Sequence, residues 1–401
     1  MKRIIFHIDV NNAFLSWTAV KRLNEGHKTD IRTIPSIIGG DEKQRHGIVL
    51  AKSPVAKKMG IKSAMTLYEA RKICKDLKVY PPDYYWYQEE SEKLMKYLRN
   101  YSPSLEQYSI DECFLDMTGT DYLYKDYIKL AYEIKDNIKK KFGFTVNIGV
   151  AENKLCAKMA SDFEKPDRVH TLFPDEIAKK MWPLDIGELF MVGKSTTKEL
   201  KEMGIKTIED LARTDEKKLT RKFKSMGKYL HEASLGIDAS VVESEAHECK
   251  SISVERTLRS DTSDVDKLKN IIHRETLNVT RELRNKKLYT KTVGIIYKDI
   301  NFKRYSAQST LDSPSNNDKV IYEKMLEVFD NSYKDEPIRL LGVKLANLTN
   351  HKNSQVSIFD MDDGEEVDTF QETLDNINNK FGKSLIEPAS LKIIDKKNKN
   401  S

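Results

Sequence analysis

Apolar and polar positions alternate along this chain in a way that marks out its elements. The run RIIFHID (3–9) is almost wholly apolar until it meets an aspartate, the pattern of a buried strand. MTLYEARKICKDL (65–77) predicts a helix. So does EESEKLMKYLRNY (89–101), where Leu94, Tyr97, Leu98 and Tyr101 recur at helical spacing. SIDECFLDM (109–117) predicts two short strands around an acidic pair. Residues 126–141 place Tyr127, Leu130, Ile134 and Ile138 on one helical face. Gly143 stops that helix, and FTVNIGV (144–150) alternates as a strand does. These pieces predict a mixed sheet with helices on one side, interrupted by an insertion between residues 10 and 78.

Residues 175–235 are helical in pattern. MVGKSTTKELKEMGI (191–205) places a glycine turn before a helix, and KSMGKYLHEASLGI (224–237) repeats the idea. The form is that of a helix-hairpin-helix, whose backbone N–H groups hold a phosphate; a plain helix connection is the alternative. GIDASVVESEAHE (236–248) lacks helical periodicity and is expected to be a linker. Residues 250–349 follow the order strand, helix, strand, strand, helix, strand. Beyond 350 the character changes, since residues 360–375 hold eight acids and no Lys or Arg.

Composition narrows the class. A length of 401 residues with 39% hydrophobic and 32% charged positions fits a soluble protein of several domains. There is no apolar run of membrane-spanning length, and the first apolar stretch meets Asp9 too early for a signal peptide. Cys74, Cys113, Cys156 and Cys249 are scattered, which suits a reducing cytoplasm and argues against a zinc or disulfide framework. Residues 1–349 carry 61 Lys and Arg against 52 Asp and Glu, whereas 350–401 carry 7 against 10. KKLTRKFKSMGK (217–228) has six cations and no acid. Such a run is either a solvated helix face or a polyanion-binding surface.

The candidate chemistry lies in two short stretches. HIDVNNAFLSW (7–17) sets Asp9 at the end of a strand, and SIDECFLD (109–116) sets Asp111 and Glu112 between strands of the same expected sheet. Adjacent buried anions repel unless something neutralises them. A polar turn would leave them in water. Three carboxylates on one sheet edge could instead hold two divalent ions, with Mg²⁺ favoured for its oxygen ligands and Mn²⁺ as the substitute. The chemistry implied is nucleotidyl or phosphoryl transfer.

These stretches, with KKMGIKSAM (57–65), NIGVAENKLCAKMASDFEKPD (147–167), LFMVGKSTTKELKEMGIKTIEDLA (189–212) and KSISVERTL (250–258), occur in an order that resembles the Y-family DNA polymerases of the bacterial DNA polymerase IV type. The resemblance covers roughly 1–349. It implies an α+β right-hand polymerase: a ferredoxin-like palm (1–10 and 78–166), small fingers (11–77), a helix-hairpin-helix thumb (167–236), a linker (237–249), a βαββαβ little finger that grips DNA (250–349), and an acidic tail (350–401). It implies error-prone translesion synthesis without proofreading, from dNTPs on primer-template DNA.

Residue by residue, the resemblance makes Asp9, Asp111 and Glu112 catalytic metal ligands, joined by the Val10 carbonyl. Phe14 becomes a steric block to the 2′-OH of a ribonucleotide; the plainer reading is a core aromatic beside Ala13 and Leu15. Lys165 and Lys57 become triphosphate contacts. DNA contacts are expected at Gly193, Lys194, Lys222, Lys224, Lys228, Arg256 and Arg304. QVSIF (355–359) resembles a pentapeptide that binds the sliding clamp (beta subunit), with Gln355, Ile358 and Phe359 as anchors. A monomer is expected. Departures from the family are Asn11 for a second aspartate, Ala13 for an aromatic, and KSPVAKKMG (52–60) where relatives often read N-Y-x-A-R-K-F-G. There Pro54 lacks a hydroxyl, and Lys57 lacks the bidentate fork of arginine. Two rival readings remain at this point: a nucleotidyl cyclase with a palm-like sheet, and a non-catalytic bypass scaffold.

Overall fold

Six consecutive buried residues make Ile5–Val10 (β1) an interior strand. Its partners come from far along the chain. After β1 follow α1 (Ala13–Asn24), β2 (Ser36–Gly39), β3 (Val49–Lys52), α2 (Pro54–Lys58), α3 (Leu67–Ile73) and β4 (Lys78–Tyr80). Next come α4 (Tyr84–Leu98), β5 (Leu105–Gln107), β6 (Glu112–Asp116), α5 (Tyr127–Phe142), β7 (Val146–Ala151), α6 (Lys154–Asp162) and β8 (Val169–Leu172). The computed structural model describes residues 2–40, 47–245, 248–350, 373–377 and 380. The chain divides into two compact units, 1–246 and 247–401.

In the first unit a five-stranded sheet runs β5-β6-β1-β7-β8, with β1 antiparallel to both β6 and β7. One face packs Phe6, Ile8 and Val10 against Leu94 and Leu98 of α4 and Ile134 and Ile138 of α5. The expectation of helices on one side only is corrected by α6, which covers the opposite face with Leu155, Cys156, Met159 and Ala160. Gly149 of β7 makes that approach feasible. A Cβ there would stand 1.9 Å from the Ala157 carbonyl oxygen of α6, so any other residue would push the helix away.

A second sheet runs β3-β2-β4, with β2 antiparallel to β3 and parallel to β4. Lys78–Tyr80, at the start of the palm segment (78–166) that the resemblance implies, pairs with Ser36–Ile38 of the insertion. The two strands expected in 109–117 are also redistributed. The first lies earlier, at Leu105–Gln107, so Asp111 falls in the turn and Glu112 opens β6.

The helical stretch that follows consists of α7 (Ile177–Lys180), α8 (Lys194–Glu202), α9 (Ile208–Ala212), α10 (Glu216–Phe223) and α11 (Ser225–Ser234). The extended segment after α11 is tied down. Asp238 accepts from the Leu155 amide at 3.0 Å, Arg3 donates to the Ser240 carbonyl at 2.9 Å, and the Glu243 amide donates to Glu106 at 2.8 Å.

The second unit is built in the expected order: β9 (Ser251–Thr262), α12 (Val265–Asn285), β10 (Tyr289–Asp299), β11 (Arg304–Ser315), α13 (Asp318–Ser332) and β12 (Ile338–Thr349). Its sheet runs β11-β10-β12-β9, antiparallel throughout. Ile272, Val279, Met325 and Phe329 of the helices pack on Val293, Ile295, Val343 and Leu345. Strand alternation sends the row Ser253, Lys344, Gly294 and Gln308 to the face without helices. Residues 373–377 form a helical segment whose Asp375 pairs with Arg284 of α12 at 2.5 Å. The pentapeptide 355–359 lies outside the described residues.

Candidate active site

Strand alternation decides which way the acids point. Ile8 and Val10 enter the core beneath α4 and α5, so His7 and Asp9 project to the α6 side. On β6, Cys113 and Leu115 take the first side, so Glu112 and Phe114 take the second. Asp9 and Glu112 are direct cross-strand partners. The Val10 amide donates to the Asp111 carbonyl at 3.0 Å, which brings Asp111 to the same edge. Three acids from two distant stretches thus meet at one end of the sheet. Asp111 is steadied by Ser109, whose hydroxyl donates to it at 2.7 Å.

Their charges are opposed by lysines. Lys165 pairs with Asp9 and also with Asp162 at 2.7 Å. Lys158 of α6, its side chain 11% exposed, donates to Glu112 at 2.6 Å and lies over the rings of Tyr108 and Phe190 at 5.1 and 5.5 Å. One turn earlier on the same helical face, Lys154 pairs with Glu106 of β5 at 2.7 Å. The spacing i, i+4 sends both lysines back to the sheet. Asn147, opposite Asp9 on β7, donates to the Ser161 and Glu164 carbonyls at 2.9 and 2.7 Å. That side chain fixes the turn carrying Lys165.

The acids titrate far apart. Burial drives Asp9 up to about 6; Lys165 works against the rise, while the charges of Glu112 and Asp111 add to it. Burial would raise Glu112 too, but His7 and Lys158 bring it down to about 2. Of those two, only Lys158 is within hydrogen-bond reach, since His7 Nε2 stands 3.7 Å away. Burial holds His7 below its ordinary value, hence neutral, and its Nδ1 bonds Ser161 Oγ at 2.8 Å.

Among the described residues, no three His, Cys, Asp or Glu side chains converge closely enough to hold an ion as they stand. The donor set nevertheless suits a hard divalent cation: carboxylate oxygens on adjacent strands, one of them, Asp9, ionising less readily because of burial and its anionic neighbours. The ammonium groups of Lys165 and Lys158 stand where added positive charge would be felt most.

Phe14 stacks on Tyr87 at 4.6 Å with the rings 8° from parallel, and it stays partly exposed. Asn12, in a left-handed conformation at the start of α1, reaches across to the second sheet, donating to the Lys52 carbonyl at 2.6 Å. Pro54 is the first residue of α2, capped by Ser53, and Lys57 is exposed in its last turn.

The expected DNA contacts separate. Gly193 starts α8 with no side-chain cap, and Lys194 and Lys224 have no carboxylate partner among the described residues. Lys222 pairs with Glu199 at 3.0 Å and Lys228 with Glu232 at 3.7 Å. In the second unit Arg256 points to the helices, where its Nε pairs with the buried Glu275 of α12 at 2.7 Å. It therefore does not share the open sheet face. Arg304 pairs with Glu255 through two bonds, at 2.6 and 3.0 Å.

Sequence reasoning missed Lys158, Lys154 and Asn147. A signal was present: two lysines at i, i+4 within the otherwise apolar KLCAKMA require partners if that helix is buried.

Residues 8–162 match the family model described as the impB/mucB/samB family, 249–358 match its C-terminal domain, and 188–238 match the DNA polymerase-iota thumb domain. The DNA polymerase IV of Clostridium acetobutylicum is 44% identical over 388 residues, covering 96% of this chain and 97% of that protein. DNA polymerase IV 1 of Bacillus subtilis is 31% identical, covering 100% of this chain and 96% of that protein. A Y-family DNA polymerase chimera aligns with a TM-score of 0.74 at 25% identity, over 87% of this chain and all of that one. DinB from Sulfolobus solfataricus aligns at a TM-score of 0.59, also at 25% identity, over 86% of this chain and 98% of that one. No helix among the described residues is long and apolar enough to cross a membrane. On sequence and architecture together, the chain belongs to the Y-family of DNA polymerases, within the DNA polymerase IV group.

Proposed function

We propose that this chain is a DNA-directed DNA polymerase that extends primer 3′ ends across damaged templates, error-prone and without proofreading, by two-metal nucleotidyl transfer. The observation that carries the reading is the meeting of Asp9, Asp111 and Glu112 at one sheet edge. Asp9, Asp111, Glu112 and the Val10 carbonyl would hold a pair of divalent ions, Mg²⁺ or, in its place, Mn²⁺. When bound, the ions neutralise the triphosphate and acidify the primer hydroxyl. The protein's own groups do the rest. Lys158 keeps Glu112 ionised. Lys165, bonded to Asp9, is a flexible point charge suited to exchange that carboxylate for nucleotide phosphates. Phe14, braced by Tyr87, sets a flat wall against a 2′-OH. His7, buried and neutral, is not placed to take a proton from a primer.

Lys194 and Lys224, with the uncapped start of α8 at Gly193, support a phosphate-holding role for the helical region. Clamp binding through Gln355, Ile358 and Phe359 and a monomeric state are part of the same reading, the first supported by sequence alone.

The test is metal-dependent primer extension on intact and damaged templates, with Asp111→Ala/Glu112→Ala as the control. The double variant is expected to lose at least about 10³-fold in rate, as removal of metal ligands commonly does. Retained activity would refute the site. Cyclisation of nucleotide in the absence of DNA would favour the cyclase reading instead.

A further inference from the structure

We propose that Lys52 is a second phosphate-binding cation of the nucleotide site, acting beside Lys57 and supplying charge where Pro54 supplies no hydroxyl; the proposal rests on the polymerase reading above. Lys52 ends β3, and the Asn12 side chain holds its carbonyl at 2.6 Å. Asn12 lies three residues after Asp9 and two before Phe14, so this bond ties the strand end to the turn between the acidic strand and the Phe14 helix. The Lys52 ammonium donates to Ser63 Oγ at 2.9 Å. A plain surface lysine would be free in solvent; this one is partly buried and held.

What sets it apart from the other buried or partly buried lysines of this unit is the missing anion among the described residues. Lys135, Lys154, Lys158 and Lys165 in the same unit each pair with a carboxylate. Among the described residues, neither Lys52 nor Lys57 has one. The two cations are close enough to feel each other, and burial together with the Lys57 charge holds Lys52 below the ordinary lysine value. Two like charges near one another, one of them partly out of water, cost free energy. An arriving polyanion removes that cost. The incoming nucleotide brings a triphosphate to this edge, and no other highly charged small molecule is required by the reaction.

The experiment measures binding without turnover. Wild type, Lys52→Met, Lys52→Arg and Lys57→Met, each on primer-template with Mg²⁺, are titrated with an α,β-imido dNTP, and inorganic tripolyphosphate is added as competitor. Lys52→Met is expected to weaken nucleotide binding about tenfold, and tripolyphosphate competition by a similar factor, as suits loss of a charge-assisted contact. Lys52→Arg, which keeps the charge, should stay within about threefold of wild type, and it keeps the proposal testable if the Met variant does not fold. Unchanged binding by a folded Lys52→Met protein would overturn the proposal. So would a loss that depends on the base offered while tripolyphosphate competition stays intact, since Lys52 would then contact the base. Failure of the wild type itself to bind the analogue would overturn the polymerase reading and this proposal with it.

Discussion

Around the five-stranded sheet, lysines that reach the interior find carboxylates: Lys154 meets Glu106, and Lys158 meets Glu112. At the end of the three-stranded sheet, Lys52 and Lys57 lie near each other and, among the described residues, find none. The first arrangement is closed. Its charges are matched within the fold, so helix α6 can be buried without stranding an ion. The second is open and gains only when an anion arrives. On the reading proposed above, the contrast separates Lys154 and Lys158, which build the site, from Lys52 and Lys57, which would meet substrate, although all are lysines on neighbouring elements.

The largest effect that would sharpen the contrast comes from the closed side. Replacing Lys158 by Met keeps the side chain's length and removes its charge. Groups that orient metal ligands from behind typically affect affinity by about 10–100-fold. Mg²⁺ or Mn²⁺ affinity, measured directly by calorimetry or Mn²⁺ paramagnetic resonance, is expected to fall within that range, with Lys158→Arg restoring most of it. If Lys158→Met bound the cation more tightly, Lys158 would be a competitor for the site and not its support.

A smaller effect is expected in stability. The Asp9 carboxyl is raised from 3.8 to about 6 in the folded protein. A raised acid favours the protonated fold, so its stabilising contribution is complete below about pH 4 and is lost as pH climbs through 6. The amide of an Asp9→Asn variant would stay neutral throughout. In EDTA at pH 7.5, Asp9→Asn is therefore expected to be more stable than wild type by about 1–3 kcal/mol, the Lys165 pair offsetting part of the gain. The difference should vanish near pH 4 and narrow when Mg²⁺ is added, because only the wild type gains the ion. Thermal melts across that range check it; a less stable Asp9→Asn protein at pH 7.5 would mean that Lys165 compensates Asp9 in full.

Much of this was readable in the sequence alone. Asp9 closing an apolar strand and the acidic pair beside Phe114 and Leu115 pointed to one sheet edge, because strand alternation is local. The strand and helix order of 250–349 was equally plain, each piece having a clear period. What escaped depended on distant partners. Lys78–Tyr80 is too short to announce itself, and its parallel pairing with Ser36–Ile38 spans some forty residues of chain. The meaning of Lys154 and Lys158 depends on Gly149 letting α6 close on the sheet, and on which acids then lie opposite. Arg256 is the instructive case. In SISVERTL it shares parity with Ile252, Val254 and Leu258, so alternation alone already turned it toward the core.

That parity yields the finest distinction. Arg256 and Arg304 were grouped as DNA contacts, yet one serves the helix face and the other the open face. Glu275, 1% exposed, would lose its ion pair with Arg256 in Arg256→Ala while keeping the Asn278 amide at 2.9 Å. Half of the Arg256 side chain is in solvent, so the stability cost is expected to be modest, about 1 kcal/mol, with the salt dependence of DNA binding unchanged. Arg304 is different because Glu255 already holds its fork. A phosphate must break that pair before it gains anything, so Arg304→Ala should weaken DNA binding less than about threefold, an order-of-magnitude figure for a screened surface charge. Glu255→Gln should do the reverse: it frees the guanidinium and removes a repelling anion from the open face. Binding should strengthen, and the slope of log affinity against log salt should steepen by about one ion or less. Salt titrations of these variants on one duplex read both quantities together. An Arg256→Ala slope that changes as much as that of Glu255→Gln would put Arg256 back among the DNA contacts and undo the division between the two faces.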